Sequence, residues 1–172
     1  MKIKEIKIFQ VNLTMKEGHY SWSNQSFRSF DSTVVQIITN QGISGFGEIC
    51  PLGPSYLPSY SEGVRVGIKK LSEILLGKDP SNINNINFLM DNALKGHPYV
   101  KSAVDIACWD ILGKKMNIPV YTLLGGKLQS KVKLFKVISR DIPEIMQEKV
   151  NEYQEQGYQQ FQMKVGAEPT VD

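Results

Sequence analysis

The stretch from Ser102 to Gly126, SAVDIACWDILGKKMNIPVYTLLGG, most constrains what this chain can fold into. Apolar residues in and just before it recur at spacings of three and four, as one buried face of a helix requires. These residues are Val100, Ala103 or Val104, Ala107 and Ile111. Asp110 and Lys114, four residues apart, predict an ion pair on another face. The sequence therefore predicts a long core helix that is followed by a proline stop at Pro119 and a diglycine turn.

Composition places the chain among ordinary globular proteins. Its 172 residues are 41% hydrophobic and 22% charged, which excludes disorder of the whole chain. The net charge of +3 comes from residues scattered along the sequence, with no basic block interleaved with aromatics, so we expect no nucleic-acid partner. No apolar run approaches the roughly 20 residues of a membrane helix, and we expect no membrane partner. The N-terminus lacks a signal-peptide pattern and neither cysteine has zinc-ligand spacing, so we expect a cytoplasmic protein.

Hydrophobic alternation in the first third of the chain predicts an antiparallel meander. The predicted strands cover residues 6–13, 33–39 and 43–48. The Asn40-Gln41-Gly42 sequence predicts the hairpin turn between the last two. Two loops are long for simple connections, a polar and aromatic one over residues 14–30 and a Pro/Gly-rich one over residues 50–60.

Two helices are predicted between the meander and the core helix. Ser59 and Glu62 have capping-box spacing and predict a helix start, with Gly77 as the stop. A second helix is predicted to begin at about residues 80–82 and to end near Leu94.

The sequence pattern changes after the core helix to strand, helix, strand. Residues 132–138 and 161–165 predict strands, and residues 143–156 predict the helix between them, which Gly157 ends. This order is typical of the opening of a parallel α/β unit.

Several motifs carry a resemblance to a known enzyme family. The run A-V-D-I-A-x-x-D-I-L-G-K-x(4)-P-V-x-x-L-L-G, which starts at Ala103, resembles the signature of the mandelate racemase and muconate-lactonizing branch of the enolase superfamily. Four further segments resemble the cis-3-hydroxy-L-proline dehydratases of that superfamily. They are HYSW from His19, DSTVV from Asp31, CPLGPSYLPSYSEGVR from Cys50 and LKGHPYVKS from Leu94.

The resemblance implies an architecture for the whole chain. Residues 1–128 would form an α+β capping domain, a three-stranded antiparallel meander plus helices. Residues 129–172 would form the first β-α-β of a (β/α)8 barrel, a fold of about 250 residues when complete. We therefore expect the chain to be the N-terminal part of a longer enzyme that forms a homo-oligomer, and we expect the 172-residue chain alone to be inactive.

The resemblance also implies that Lys164 is the catalytic base. Strand alternation over residues 161–165 predicts that Gln162 and Lys164 share the face that points into the barrel, and that the apolar residues pack on outer helices. The family carries Lys-x-Lys on this strand, and its second lysine, here Lys164, removes a proton next to a carboxylate. Without the resemblance, a solvated lysine at a strand end is the simpler interpretation.

This sequence departs from the family at the first lysine, which is Gln162 here. A lysine acts as a base only when neutral, and a neighbouring positive charge favours that form. Gln162 carries no charge, although it could hydrogen-bond a substrate. The family stabilises its enediolate with Mg²⁺, and we expect the ligands beyond residue 172, because Glu168 and Asp172 have no third carboxylate at a suitable spacing.

The two long loops are the expected substrate-binding elements. Tyr20, Trp22 and Tyr56 offer aromatic surface and hydroxyl groups for a small amino-acid substrate such as a pyrrolidine ring. Packing into the domain core is an equally simple role for these aromatics. The resemblance implies a hydro-lyase that converts cis-3-hydroxy-L-proline to Δ1-pyrroline-2-carboxylate. Two alternatives stay open: a proline or hydroxyproline-betaine racemase or epimerase, and a non-catalytic capping or interaction module.

Overall fold

The structure, a computed structural model, describes residues 1–166 and 170 of the chain. Residue contacts divide it into two compact units. The first unit comprises Met1–Asn12 and Asp31–Lys127, and the second comprises Leu13–Phe30 and Leu128–Asp172. Residues 13–30 therefore group with the C-terminal residues and not with the rest of the predicted capping domain.

Seven strands and five helices occur in the described residues. The strands are β1 (Ile3–Thr14), β2 (Tyr20–Trp22), β3 (Gln25–Phe27), β4 (Ser29–Thr39), β5 (Ser44–Ile49), β6 (Lys136–Ile138) and β7 (Phe161–Met163). The helices are α1 (Ser61–Leu75), α2 (Ile83–Ala93), α3 (Pro98–Met116), α4 (Val120–Leu123) and α5 (Pro143–Glu155). None of these helices is long and apolar enough to cross a membrane.

The first unit contains the predicted antiparallel meander, with strands in the order β1-β4-β5. β4 and β5 pair from Thr33 opposite Ile49 to Ile38 opposite Ser44. The turn between them forms where the sequence predicts it, and Gly42 adopts the left-handed conformation (φ 80°) that glycine accepts without strain.

Helices α1, α2 and α3 cover this sheet with a single apolar core. Every residue predicted for the buried face of α3 is buried, as are the regularly spaced apolar residues of α1. The α1 residues are Val64, Ile68, Leu71 and Leu75. Burial of each large aliphatic side chain contributes about 1.5–3 kcal/mol, so this core is the main source of stability of the first unit.

Two carboxylates fasten α3 to its neighbours. Asp110 accepts hydrogen bonds from the backbone amide of Phe46 on β5 (2.9 Å) and from Lys114 (2.7 Å), which confirms the predicted ion pair. Asp105 accepts a hydrogen bond from the side chain of Asn87 on α2 (2.8 Å). Both acids therefore have structural partners.

The predicted capping box at Ser59 is wrong. Helix α1 begins at Ser61 with Tyr60 as its N-cap, and no side chain caps it. The backbone amide of Ser59 instead closes a tight turn onto Leu57 (2.6 Å). The first turn is held by tertiary contacts, because the Ser61 hydroxyl donates to the Asp31 carbonyl (2.6 Å) and Arg65 forms a two-armed ion pair with the Asp31 carboxylate (2.9 Å for each arm).

In its described residues, the second unit contains two small sheets and one helix. β2 and β3 form an antiparallel hairpin in which Tyr20 lies opposite Phe27, and β6 and β7 pair in parallel on either side of α5 in the sequence. The predicted βαβ order is thus present, but both strands are shorter than predicted. The strand predicted over residues 132–138 begins only at Lys136, and the strand predicted over residues 161–165 already ends at Met163, so both predicted ranges are wrong in those parts.

The core of the second unit lies between α5 and the parallel strands. Ile138, Met146 and Tyr153 are buried, with Val150, Tyr158 and Phe161 packed against them. The predicted packing of the apolar face of β7 on helices holds for Phe161 only, because Met163 is 56% exposed and Val165 is 52% exposed.

Candidate functional site

Parallel pairing of β6 and β7 brings two chain segments to one edge of the sheet. Ile138 lies opposite Met163, so the residues that follow each strand emerge together. Arg140 and Asp141 follow β6, and Lys164 follows β7. The backbone amide of Lys164 donates to the Ile138 carbonyl (3.0 Å), which holds the backbone of this lysine beside the end of β6. Active sites of parallel α/β barrels form at this carboxyl edge.

A cavity of about 1070 Å³ opens at this edge within the second unit. Its polar wall contains residues from the β2–β3 segment and from the strand ends, and its apolar wall comes from α5 and β7. The polar lining includes His19, Ser21, Ser26, Arg28, Arg140, Asp141 and Lys164. The apolar lining includes Met146, Val150, Phe161 and Met163. Such a mixture of apolar surface and a few polar groups is typical of small-molecule sites.

Backbone hydrogen bonds fix the hairpin against the strand ends. The amide of Arg140 donates to the Ser21 carbonyl (3.1 Å), and the amide of Ser23 donates to the Val165 carbonyl (3.2 Å). Within the hairpin, the hydroxyl of Ser21 donates to that of Ser26 (2.9 Å). The hairpin is therefore attached to the segment after β6, which carries Arg140 and Asp141, and to the segment after β7, which carries Lys164.

An ion pair also attaches the residues that precede the β2–β3 hairpin to β6. Lys136 lies 2.9 Å from the Glu17 carboxylate, and its ammonium group lies 4.3 Å from the centre of the Tyr153 ring. Partial burial alone raises the pKa of Glu17, but hydrogen bonding and the positive charge of Lys136 outweigh burial and lower it. The ionised carboxylate is thus the stable form in this contact.

One carboxylate, that of Asp141, lines the cavity among the residues that the structure describes, and one of its oxygens has a hydrogen-bond partner. One oxygen of Asp141 accepts a hydrogen bond from the backbone amide of Ile142 (2.9 Å), and the other lies 3.7 Å from His19 Nε2. The Nε atom of Arg140 is buried and has no hydrogen-bond partner in the described part of the chain.

The structure brings only one of the predicted site residues to the cavity lining. Lys164 is half-buried and lines it, whereas Gln162 is exposed and is not among the lining residues. Tyr20 and Trp22 lie in the same unit and pack their rings 4.9 Å apart. Tyr56 is 57% exposed and lies in the first unit.

The two hairpin aromatics belong to a ring cluster. Trp22 stacks on Phe27 with ring centres 4.7 Å apart, and Tyr20 meets Phe30 edge-on at 6.3 Å. These contacts give Tyr20 and Trp22 a packing role in the hairpin. Their predicted contact with substrate stays a prediction.

Sequence reasoning missed Arg28, Arg140 and Asp141 as lining residues. A usable signal was present at two of them, because Arg140 and Asp141 directly follow a predicted parallel strand and precede Pro143, the start of a predicted helix. Residues at that position lie at the carboxyl edge where barrel sites form.

The described residues do not fit a divalent cation. They contain no group of three or more His, Cys, Asp or Glu side chains that would hold a metal ion. Glu168 and Asp172 lie outside the described residues. Among the charged residues of the cavity lining, Arg28, Arg140 and Lys164 outnumber Asp141, and their positive charge repels a cation.

The fold and the site define the class of protein. Residues 3–125 match the N-terminal domain of the mandelate racemase / muconate lactonizing enzyme family. The chain belongs to this family, within the enolase superfamily, and this confirms the resemblance predicted from its motifs.

Curated relatives and solved structures extend the match. The chain is 54% identical to cis-3-hydroxy-L-proline dehydratase from Roseibium aggregatum over all of its own length and 47% of that protein. The crystal structure of N-succinyl Arg/Lys racemase from Bacillus cereus matches with a TM-score of 0.94 and 36% identity, over 100% of this chain and 46% of that one. A mandelate racemase/muconate lactonizing enzyme from Roseovarius nubinhibens, complexed with magnesium, matches with a TM-score of 0.90 and 34% identity, over 99% and 46% of the two chains. The chain thus spans about half the length of the proteins it matches.

Proposed function

We propose that this chain forms the N-terminal half of a Mg²⁺-dependent dehydratase that acts on cis-3-hydroxy-L-proline. The observation that carries the proposal is the 54% identity to a cis-3-hydroxy-L-proline dehydratase along the whole chain. The placement of Lys164 in the lining of a cavity at the carboxyl edge of β6 and β7 supports it.

In the proposed reaction, the neutral amine of Lys164, or a lysine of the other half of the enzyme, removes the proton from C2 of the substrate. The C3–O bond then breaks and the hydroxyl leaves as water after it accepts a proton. The cyclic enamine that remains takes up a proton at C3 and releases the proton on its nitrogen to solvent, which gives Δ1-pyrroline-2-carboxylate. The apolar wall of Met146, Val150 and Phe161 offers a surface of suitable character for the pyrrolidine ring.

Mg²⁺ is the expected cofactor of the complete enzyme, since one structural relative is complexed with magnesium. When bound, it would stabilise the negative charge that develops on the substrate carboxylate. We propose that its ligands belong to the half of the enzyme outside this chain.

A racemase or epimerase is the second candidate, because the chain is also 36% identical to N-succinyl-L-Arg/Lys racemase from Bacillus cereus. Such an enzyme would use the same base but return a proton to C2 without loss of water. The two reactions therefore differ in the fate of the C3 substituent.

A chimeric enzyme tests the proposal. This chain replaces the matching N-terminal part of the Roseibium aggregatum dehydratase, and the purified chimera is incubated with cis-3-hydroxy-L-proline and Mg²⁺ in D₂O. Proton NMR should show formation of Δ1-pyrroline-2-carboxylate. Exchange of the C2 proton without water loss would favour the racemase or epimerase, and the absence of both reactions in a folded chimera would refute the proposal.

Variants of the chimera test the role of Lys164. We expect Lys164→Ala to lower kcat by about 10²–10⁴-fold with an unchanged circular dichroism spectrum, since general acid–base catalysis contributes roughly that factor. Lys131→Ala removes an exposed positive charge from the same unit and should leave kcat unchanged. Equal activity of the two variants would exclude Lys164 as the base.

A further inference from the structure

The cavity of the second unit has an excess of positive charge. Arg28, Arg140 and Lys164 line it, and Asp141 is the one carboxylate among the described lining residues. One Asp141 oxygen accepts a hydrogen bond from the Ile142 amide, and the other lies 3.7 Å from His19 Nε2. The three basic groups have no carboxylate within ion-pair distance in the described part of the chain. A cavity with this charge distribution attracts anions and repels cations.

Arg140 is the most unusual of the three. Its backbone is fixed through the hydrogen bond to Ser21, and its side chain is half-buried, whereas Arg28 is exposed. The Nε–H group of Arg140 is buried without a hydrogen-bond acceptor in the described residues. A buried donor without a partner destabilises the fold, and nearly all such groups in native proteins are satisfied. The described residues supply no acceptor for this group, and the Arg140 side chain lies in the lining of the cavity.

We infer that Arg140 binds the carboxylate of a small amino or imino acid in this cavity. A guanidinium group presents parallel N–H donors that match the two oxygens of a carboxylate, and this pairing is stronger than a neutral hydrogen bond. The apolar wall beside it suits the carbon skeleton of such a ligand. The inference rests on the proposed function only in placing this ligand beside Lys164.

Binding to Arg140 would also hold the carboxylate at a defined place in the lining that Lys164 shares. The carbon next to that carboxylate carries the proton removed in the proposed reaction. Arg140 is then a substrate-binding residue that determines which carbon faces the base. Its effect should be visible in binding alone, as a preference for ligands that carry a carboxylate.

The test is an NMR titration of the 172-residue chain labelled with ¹⁵N in its arginine side chains. The probes are L-proline and L-prolinamide, which share the ring but differ in the carboxylate. We expect L-proline to shift the Arg140 Nε–H resonance in a saturable manner, and L-prolinamide to leave it in place. An equal response to both probes, or no response to L-proline, would overturn the inference.

Two variants separate binding from structure. Arg140→Gln should weaken L-proline binding about 10- to 100-fold, the range for loss of a hydrogen bond to a charged group. Lys131→Gln, which removes a charge outside the cavity lining, should not change it. Arg140→Gln removes the buried Nε–H donor, which destabilises the fold because it has no partner. The melting temperature of this variant should therefore equal or exceed that of the wild type. A lower melting temperature with unchanged L-proline binding would show that Arg140 is structural.

The titration stays informative whatever reaction the enzyme catalyses. If the chimera fails to release water from cis-3-hydroxy-L-proline while L-proline still shifts the Arg140 resonance, the proposed function is wrong and the carboxylate site stands. If the chimera is active and Arg140→Gln leaves its KM and kcat unchanged, the carboxylate site is wrong and the proposed function stands.

Discussion

Gly47 allows strand β5 to approach helix α3 at backbone distance, and its replacement by alanine tests this packing. A Cβ atom at Gly47 would overlap the carbonyl oxygen of Ala103 and lie 2.9 Å from its carbonyl carbon and 3.0 Å from the amide nitrogen of Ala107. Favourable carbon contacts lie at about 3.5–4.0 Å, so strand and helix must separate by roughly 0.5–1.5 Å. Neither side of the contact is a flexible side chain that could rotate away.

The expected loss follows from this geometry. Overpacking of a core costs about 1–3 kcal/mol, and a clash between two backbones belongs at the upper end. Alanine also lowers the conformational entropy of the unfolded chain, which offsets about 0.4–1 kcal/mol of this loss in stability. We therefore expect Gly47→Ala to lower the free energy of unfolding by about 2–3 kcal/mol, which corresponds to a fall in melting temperature of about 5–10 °C.

Urea unfolding followed by far-UV circular dichroism measures this change. Gly42→Asn is the matched control, because Gly42 lies in open space and differs only in its left-handed backbone, which asparagine tolerates. The control should lose less than about 1 kcal/mol. If Gly47→Ala unfolds within about 0.5 kcal/mol of the wild type, the close approach of β5 to α3 is not present in solution.

Two further predictions concern the first unit. Burial raises the pKa of the Cys108 thiol to about 12, so at pH 8 a thiol reagent should label Cys108 only after unfolding. Native protein should therefore react at Cys50 alone, and fast labelling of both thiols would contradict the burial of α3. The ion pair between Arg65 and Asp31 is mostly buried, and Arg65→Gln should lower the free energy of unfolding by about 1–2 kcal/mol. A double-mutant cycle with Asp31→Asn checks it, and a coupling energy of zero would show that the pair is not formed.

The first unit was largely predictable because its elements are long and regular. Nineteen residues of α3 contain enough turns for the three-and-four spacing to define one buried face. The start of α1 was not predictable in the same way. Ser59 and Glu62 have the spacing of a capping box, but the helix start is determined by the contacts of Ser61 and Arg65 with Asp31, which is 30 residues away from Ser61 in the sequence. No local pattern contains such a contact.

The candidate site was predictable in its location and less so in its composition. The family motif predicts Lys164 as a site residue, and Lys164 lines the cavity. Gln162 was placed beside it by strand alternation, but the strand ends at Met163, so alternation does not extend to Lys164. Arg140 gives no signal as a ligand-binding residue until the structure shows that its Nε atom is buried and that Asp141 is engaged elsewhere.

The segment of residues 13–30 lies in a different unit of the structure from the one that the sequence predicts. In the sequence it separates two predicted strands of one sheet, which predicts that it belongs to the capping domain. In the structure it is held by the Glu17–Lys136 ion pair at the first residue of β6, and by the backbone bonds of Ser21 and Ser23 to Arg140 and Val165, which follow β6 and β7. The aromatic hairpin therefore keeps its position relative to the strand ends that carry the basic residues of the cavity. Because the Ser21 carbonyl accepts a hydrogen bond from the Arg140 amide, a substitution that shifts this hairpin should also shift the backbone of Arg140.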